Sequence, residues 1–438
     1  MLNNNTVTGR SFKGYSLGNA PEIKKQMLNW GSRFNICCFM DSHNYPDSLQ
    51  HYDAILAAGA WKWIASAPGN AFAKLRAFTH DNSDWLFGHV GFGMQSEIFP
   101  DLPVQPDPVG FPHLGFFVPE HLLLLKGDVL RVSSHSQNPD SIVAALTKST
   151  ADKPAGHQVI RLIPAVPKAD YVRTIGELRA HIRRGDCYEI NFCQEFSASE
   201  TVIDPVQVFR EMSNVSPNPF SVFYKSDETY LLCASPERFF TLQGESVWSQ
   251  PIKGTAPRFP DDPVRDEDQS RRLLASAKEK AENVMIVDLV RNDLSRVCRP
   301  GSVTVTELFG IHAFPQVFQM ISTVSGELSG GRNWIDVLEN CFPMGSMTGA
   351  PKKRVLELIA RYEKTGRGIF SGTVGYVDPD GNADFNVVIR SILYSNTRRQ
   401  LSCLVGSGIT WYADAEQEYE ECLLKVQALL KILEGSKR

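Results

Sequence analysis

One lysine stands in a setting that could make it a nucleophile. Lys253 follows an apolar run and precedes Gly254 in the stretch Pro-Ile-Lys-Gly-Thr at residues 251–255. We predict that it lies in a tight turn at the end of a strand spanning residues 247–252. An amine becomes nucleophilic near neutral pH only where its surroundings lower its pKa, and a rigid, partly apolar turn can do so. Most lysines that follow a strand are solvated turn residues instead.

Four glutamates form two pairs at helical spacing, Glu279 with Glu282 and Glu418 with Glu421. A spacing of three residues places each pair on one helix face. Both pairs border apolar segments, so two converging helices would bring together four carboxylates that repel one another without a cation. Oxygen ligands of this kind suit Mg²⁺, which keeps several waters and takes a substrate oxyanion. The commoner role of such pairs is a solvated helix face.

A glycine-rich segment at residues 342–353 runs into a predicted helix that ends at Gly366. The backbone N–H groups at such a helix entry, around Thr348 and Gly349, form an anion site. The glycines and lysines do not match the phosphate-binding pattern G-x-x-x-x-G-K-[ST]. We therefore expect a carboxylate rather than a nucleotide here, or else an ordinary helix entry.

Further polar residues could complete a site for an anionic substrate. Arg390, on a predicted strand, offers a guanidinium fork for a carboxylate. Gly406, Ser407 and Gly408, in a predicted turn, allow close approach to the backbone. Glu237 lies at a predicted hairpin turn and could act as a general acid if its pKa is raised. Arginines on strands and glutamates in turns are more often surface residues.

Two runs of short strands alternate with helices along the chain. The strands fall within residues 188–252 and 369–405, separated by polar or glycine-containing turns. Helices are predicted at residues 170–184, 266–297 and 415–433. This order predicts an α+β fold with antiparallel sheets. Prolines within residues 149–167 predict a boundary between an N-terminal α+β region at 1–165 and a catalytic domain at 166–438.

The composition excludes several classes of protein. The 438 residues carry 45 basic and 49 acidic side chains, a net charge of −4, so we expect no nucleic-acid partner. No apolar segment is long enough to cross a membrane or to form a signal peptide, so we expect a cytoplasmic protein with no membrane partner. The nine cysteines include no C-x-x-C pair and none in the Gly-x-Cys-x-Gly context of a glutaminase nucleophile. A reaction that uses ammonia would therefore need another chain to release it.

Several longer strings occur in a fixed order. They are CYEINFCQEF from Cys187, SPERFF from Ser235, PIKGT from Pro251, AENVMIVDLVRNDLSRV from Ala281, GSMTGAPKKR from Gly345, GTVGY from Gly372, VVIRSI from Val387, GSGIT from Gly406 and EYEE from Glu418. In this order they resemble the chorismate-binding enzymes, a family of anthranilate, aminodeoxychorismate, isochorismate and salicylate synthases. The resemblance covers about residues 166–430 and, more loosely, the N-terminal half.

The resemblance implies a fold and a set of roles. The fold would be two packed antiparallel β-sheets with helices outside. The four glutamates above would hold Mg²⁺, which binds the ring carboxylate of chorismate, and Glu237 would protonate the departing 4-hydroxyl. The residues that would bind the substrate, including its enolpyruvyl carboxylate, are Thr348, Gly349, Tyr376, Arg390, Gly406, Ser407 and Gly408.

Within this family, the position of Lys253 separates the reactions. Aminodeoxychorismate synthases have lysine there, whereas anthranilate synthases typically have alanine. The resemblance implies that Lys253 attacks C2 of chorismate and that ammonia from a glutamine amidotransferase subunit then displaces it by attack at C4. The product would be 4-amino-4-deoxychorismate, the precursor of p-aminobenzoate and folate. The water-activating lysine of isochorismate and salicylate synthases falls at Glu189, which argues against both activities.

Two residues depart from the family pattern. Glu189 replaces the glutamine usual in the amino-transferring members, and Gln319 stands where many relatives have histidine. Both concern proton handling rather than the choice of substrate. An anthranilate synthase component I and a non-catalytic chorismate-binding subunit are the alternatives to aminodeoxychorismate synthase activity.

Overall fold

The computed structural model describes residues 9–149 and 160–433. Within these ranges lie eleven α-helices: α1 Ala20–Gly31, α2 Ala71–His80, α3 Gln95–Ile98, α4 Pro139–Thr147, α5 Lys168–Arg183, α6 Pro205–Val215, α7 Pro263–Ala275, α8 Ala277–Ser295, α9 Trp334–Cys341, α10 Lys352–Tyr362 and α11 Ala415–Leu433. The same ranges contain twenty β-strands: β1 Lys13–Ser16, β2 Ile36–Asp41, β3 Ala54–Ser66, β4 Leu86–Val90, β5 Leu114–Lys126, β6 Val129–Ser134, β7 Ile163–Pro164, β8 Glu189–Ala198, β9 Phe220–Ser226, β10 Thr229–Ser235, β11 Arg238–Gln243, β12 Ser246–Gln250, β13 Ile252–Pro257, β14 Thr304–Ala313, β15 Val317–Glu327, β16 Gly349–Ala350, β17 Thr373–Val377, β18 Ala383–Asn386, β19 Ser391–Ser395 and β20 Gln400–Ile409. The predicted boundary at 149–167 falls mostly on residues outside the described ranges, so the division at residue 165 stays a prediction.

The strands form two packed antiparallel sheets that share β5. The first sheet has the order β1-β6-β5-β3-β2-β9-β10-β19-β20-β8, with β7 and β16 also paired to β8. The second has the order β5-β4-β17-β18-β11-β12-β15, with β13 and β14 also paired to β15. The predicted α+β fold, with helices outside two antiparallel sheets, is confirmed.

Side-chain alternation along the central strands fills two layers of core. On β2, Cys38 faces the second sheet and lies in one cluster with Leu231 and Phe385. Its neighbour Phe39 faces the helices and packs edge-on against Phe209 of α6, with ring centroids 6.3 Å apart. Successive strand residues point to opposite faces, so a strand that is buried on both faces must be apolar throughout. The Ile-Cys-Cys-Phe-Met sequence of β2 meets this requirement.

The helix predicted at 266–297 is in fact two helices. Ser276 has an extended backbone, and its hydroxyl accepts a hydrogen bond of 3.3 Å from the Glu279 backbone N–H, which caps α8. Serine side chains compete in this way with helical hydrogen bonds. The break allows both α7 and α8 to pack on β13. The helix predicted at 415–433 is confirmed as α11.

Several candidate residues lie in elements other than those predicted. Lys253 is inside β13 rather than in a turn, and residues 406–408 are inside β20 rather than in a turn. Pairing with strands distant in sequence, β15 and β8, extends both segments beyond their local turn signals. Arg390 lies between β18 and β19 at φ +50°, not on a strand. Helix α10 ends at Tyr362, before Gly366.

In the parts of the chain that the structure describes, every helix is too short or too polar to cross a bilayer.

Candidate active site

Lys253 and Glu189 form a buried ion pair between the two sheets. Lys253 projects from β13, beside the second sheet, and its Nζ donates a hydrogen bond to Oε1 of Glu189, the first residue of β8 in the first sheet. The Lys253 and Glu189 side chains are 14% and 3% exposed. Gly408 on β20 leaves room for them, because a Cβ there would lie 2.8 Å from Nζ and 2.9 Å from Oε1. Any side chain at position 408 would therefore displace the pair.

This ion pair holds the Lys253 proton firmly. Burial alone would lower the pKa of the amine, but the adjacent Glu189 carboxylate outweighs burial, with Glu282 and Glu237 adding to the attraction. The pKa of Lys253 is consequently raised, so the lowered pKa that a nucleophilic amine needs is not supplied by this arrangement. To act as a nucleophile, Lys253 must first pass its proton to another group.

Glu237 is held where it can keep a proton near neutral pH. Between β10 and β11, its backbone N–H donates to Oγ of Ser235 at 3.2 Å and its carbonyl accepts from the Val387 N–H at 3.0 Å. The side chain is buried, and burial raises its pKa to about 7, although Ser346 and Lys253 act in the opposite direction. A carboxylic acid of this kind meets the requirement for a general acid.

Arg390 supplies a cation near Glu237. Its backbone has φ +50°, which non-glycine residues seldom adopt, and its carbonyl accepts a hydrogen bond of 3.1 Å from the Ala234 N–H. Burial lowers the pKa of the guanidinium, and Glu237 acts against that. Among the described residues, no carboxylate lies within ion-pair distance of Arg390. A half-buried cation in an unusual backbone conformation is well suited to bind a substrate carboxylate.

The first acidic pair lies beside Lys253. The Glu279 carboxylate packs over the backbone of Gly254, where φ is +95°. A Cβ added at Gly254 would lie 3.1 Å from Oε2 of Glu279. Glu282 is one helical turn further on, and burial raises its pKa to about 7, with Lys253 lowering the pKa and Glu189 raising it. Helix α8 thus adds two carboxylates to the surroundings of the amine.

The two glutamates of the second acidic pair, Glu418 and Glu421, differ in exposure and in their partners. Glu418 is half-buried and accepts a hydrogen bond from the Ser407 hydroxyl, and burial raises its pKa. Glu421 is exposed and pairs with Lys425 at 2.7 Å on the same helix. Only Glu418 therefore touches the strand that carries the glycines predicted to bind substrate.

The donor set suits a divalent cation, although the side chains do not surround a common point. Lys278 lies 4.0 Å from Glu282 and also lowers the pKa of Glu418, so both helices approach the same ammonium. In the described part of the chain, no three His, Cys, Asp or Glu side chains lie close enough together to hold a metal ion. Carboxylates with raised pKa values are groups that a cation would stabilise. Glu279, Glu282, Glu418 and Glu421 stay the predicted Mg²⁺ ligands.

The glycine-rich segment packs against the strand that carries Glu189. Gly349 pairs with Ile190 at φ +136°, and a Cβ there would lie 2.1 Å from the Glu189 carbonyl oxygen, so the position requires glycine. Thr348 is fully buried, and its hydroxyl donates to the Met344 carbonyl at 3.0 Å. These contacts position β8. Substrate binding by Thr348 and Gly349 stays a prediction.

Tyr376 lies away from the ion pair. Its buried ring stacks on Trp85, with centroids 5.8 Å apart. Together with Tyr52 it lines a cavity whose walls, as far as the chain is described, include neither Lys253 nor Glu237. The role of Tyr376 in substrate binding stays a prediction.

From the sequence, Glu189 was interpreted as a departure from glutamine and as an argument against isochorismate and salicylate synthase activity, but its partner was missed. The available signal is a glutamate at the start of a strand whose apolar residues Ile190, Phe192 and Phe196 predict burial, because a buried carboxylate needs a cation. That cation, Lys253, is 64 residues further on, and the packing of the sheets brings it close. Gln319, the other departure, is buried on β15, and its Oε1 has no hydrogen-bond partner among the described residues.

Comparison with known proteins identifies the family to which this chain belongs. A profile described as chorismate binding enzyme matches residues 39–431, from β2 almost to the end of α11. The chain therefore belongs to the chorismate-binding enzyme family, and the resemblance carried by its motifs is confirmed.

Two relatives are similar to this chain in sequence, and one solved structure is similar to it in fold. Aminodeoxychorismate synthase component 1 of Klebsiella aerogenes is 35% identical over 370 residues, which are 83% of this chain and 81% of that protein. Anthranilate synthase component 1 of Streptomyces coelicolor is 31% identical over 371 residues, 79% of this chain and 72% of that protein. The crystal structure of anthranilate synthase component I from Streptococcus pneumoniae, 23% identical, has a TM-score of 0.76 and covers 88% of this chain and 94% of that one. This last likeness shows the fold.

Proposed function

We propose that the protein is the chorismate-binding subunit of an aminodeoxychorismate synthase, converting chorismate and ammonia to 4-amino-4-deoxychorismate. The observation that carries the proposal is the largely buried amine of Lys253, held between the sheets near Glu237, whose pKa is raised to about 7. The name of the Klebsiella relative supports the same reaction. The product leads to p-aminobenzoate and folate.

In the first half of the proposed reaction, Lys253 forms a covalent adduct. The neutral amine bonds to ring C2, the two ring double bonds each shift by one position, and the bond between C4 and its hydroxyl oxygen breaks. Glu237 donates its proton to that oxygen, so the hydroxyl leaves as water. The adduct carries a protonated secondary amine at C2, ready to leave.

In the second half, ammonia replaces the lysine. It bonds to C4, the double bonds return to their original positions, and the bond between C2 and Nζ breaks to release neutral Lys253. The new amine at C4 carries the extra proton, and Glu237 recovers a proton from it or from water. Without a lysine at this position, ammonia could itself enter at C2, which is the route towards anthranilate.

Substrate carboxylates would be held from two sides. The half-buried guanidinium of Arg390 would bind one of them, since it has no carboxylate partner in the described part of the chain. The four glutamates of α8 and α11 would hold Mg²⁺, which when bound supplies positive charge for the ring carboxylate.

The ammonia would come from a glutamine amidotransferase partner. Both relatives named above are called component 1. All nine cysteines of this chain are buried, and buried thiols are poor nucleophiles. A glutaminase reaction within this chain therefore has no suitable cysteine.

Product identification tests the proposed function. Purified protein incubated with chorismate, Mg²⁺ and an ammonium salt should yield aminodeoxychorismate, detected by chromatography with mass spectrometry. Anthranilate as the product would overturn the proposal in favour of the tryptophan branch. Chorismate binding without amination, with either an ammonium salt or an added glutaminase subunit, would indicate a non-catalytic subunit instead.

A further inference from the structure

Among the described residues, one proton acceptor is in contact with the ammonium of Lys253. Nζ donates its hydrogen bond to Oε1 of Glu189, whereas Glu237 and Glu282 attract it from greater distances. Gly408 lies against the pair, since a Cβ there would be 2.8 Å from Nζ. If Lys253 is a nucleophile, it must lose a proton before each attack, and the group already bonded to Nζ offers the shortest path.

The Glu189 carboxylate uses one of its two oxygens, Oε1, in the bond to Lys253. Its second oxygen, Oε2, is buried and has no hydrogen-bond partner among the described residues. A carboxylate oxygen without a donor keeps lone pairs that can take a proton. Glu195, on the same strand, differs because it accepts a hydrogen bond of 2.6 Å from the Ser402 hydroxyl. Strand β8 thus carries one buried carboxylate bonded to a hydroxyl and one bonded to the Lys253 ammonium, which can give it a proton.

We propose that Glu189 exchanges a proton with Lys253 in every reaction cycle. The inference rests on the proposed function, since it requires Lys253 to be the nucleophile. Glu189 takes one proton from the ammonium, which leaves a neutral amine and a neutral carboxylic acid, and the amine then bonds to C2. After ammonia has bonded to C4 and the amine has left C2, the Glu189 carboxylic acid returns the proton. Glu237 separately protonates the departing hydroxyl, so the two acids serve different atoms.

The test uses Glu189→Gln, which keeps the size of the side chain and an acceptor oxygen but cannot take a proton. With saturating Mg²⁺ and a fixed concentration of free ammonia, kcat for aminodeoxychorismate formation should fall by about 10²-fold near pH 7. It should recover as the pH rises, because solvent can then remove the Lys253 proton, while KM for chorismate stays near the wild-type value. Glu189→Asp should recover part of the loss. The matched control, Glu195→Gln, should follow the wild-type profile.

Two outcomes would overturn the inference: wild-type kcat for Glu189→Gln at every pH, or a loss that is the same at every pH and therefore structural. A separate measurement distinguishes this failure from failure of the proposed function. Mass spectrometry of Lys253 after brief treatment with acetic anhydride, as a function of pH, reports protonation of the amine without any turnover. Labelling should begin at lower pH in Glu189→Gln than in the wild type, and unchanged labelling would refute the pairing. Full activity of Lys253→Ala would refute the proposed function, and the proton exchange with it, whatever the labelling shows.

Discussion

Glu237 and Arg238 are adjacent in the chain, yet they belong to two buried clusters of opposite character. Arg238 is fully buried, and its guanidinium donates hydrogen bonds of 2.6–3.1 Å to three side chains, those of Asp47, Gln250 and Asp384. Glu237 belongs instead to the cluster around the amine. One strand, β11, therefore begins at the junction of both clusters.

The two clusters differ in whether their buried charges are balanced by opposite charges and hydrogen bonds. The cluster around Arg238 is matched in this sense, and the cluster around Lys253 is unmatched. Burial would lower the pKa of Arg238, but its two aspartates raise it, so the guanidinium stays charged. Around Lys253 the acids outnumber the amine, and burial raises the pKa values of Glu237 and Glu282 to about 7. A matched cluster stabilises a fold, whereas an unmatched one keeps protons mobile near neutral pH, as catalysis requires.

Lys253→Ala should have the largest effect. The rate of aminodeoxychorismate formation should fall on the order of 10³-fold or more, because the covalent route is lost. The substitution leaves Glu189 without its partner, so the control is the double variant Lys253→Ala with Glu189→Gln, which removes both charges. The double variant should be equally inactive and folded by circular dichroism. Full activity in either variant would place Lys253 outside the chemistry.

Arg238→Ala should damage stability instead. It leaves Asp47 and Asp384 buried without their cation, so the free energy of unfolding should fall by about 3–5 kcal/mol in urea titrations. Arg271→Ala is the control, because Arg271 forms an exposed pair with Glu267 at 2.9 Å. That control should change the free energy by less than about 0.5 kcal/mol. Equal stability of the two variants would contradict the role assigned to the matched cluster.

Glu237→Gln should lower kcat by about 10²-fold, because an amide cannot protonate the leaving hydroxyl. The pKa of Glu237 is raised from 4.5 to about 7, so its acid form is present below pH 7 and is lost as the pH rises through that value. The wild-type rate at fixed free ammonia should therefore decline above about pH 7, whereas the variant should lack this decline. A decline that persists unchanged in the variant would assign it to another group.

The elements that the sequence predicts well are those decided by local pattern. Helix α11 matches its predicted range because its apolar stripe and acidic first turn are local features. Lys253 was misplaced because the ladder of β13 with β15 shifts register between Ile252 and Thr255, a feature set by a partner strand distant in the chain. The prediction that Arg390 lies on a strand is wrong because its φ of +50° interrupts the strand. The residue pattern predicts one continuous strand where the structure has β18 and β19.

The candidate site was predictable in its residue types more than in its contacts. The motifs pointed to Lys253, Glu237 and the acidic pairs, and the structure places all but the exposed Glu421 in or beside the same cluster. The pairing of Lys253 with Glu189 depends on how two sheets pack, which no local pattern records. The sequence could only indicate that a buried glutamate needs a cation somewhere.

Glu421 lies at the edge of the unmatched cluster, and its substitution should have the smallest effect. It is exposed and paired with Lys425 at 2.7 Å, so Glu421→Gln should change the free energy of unfolding by less than about 0.5 kcal/mol. Because Glu421 is a predicted Mg²⁺ ligand, the same substitution should nevertheless raise the Mg²⁺ concentration needed for half-maximal activity by about tenfold or more. The control is Glu420→Gln, whose exposed pair with Lys168 at 2.9 Å has no predicted metal role. An equal Mg²⁺ requirement in both variants would remove Glu421 from the ligand set and confine the cation to the three carboxylates that are at least half-buried.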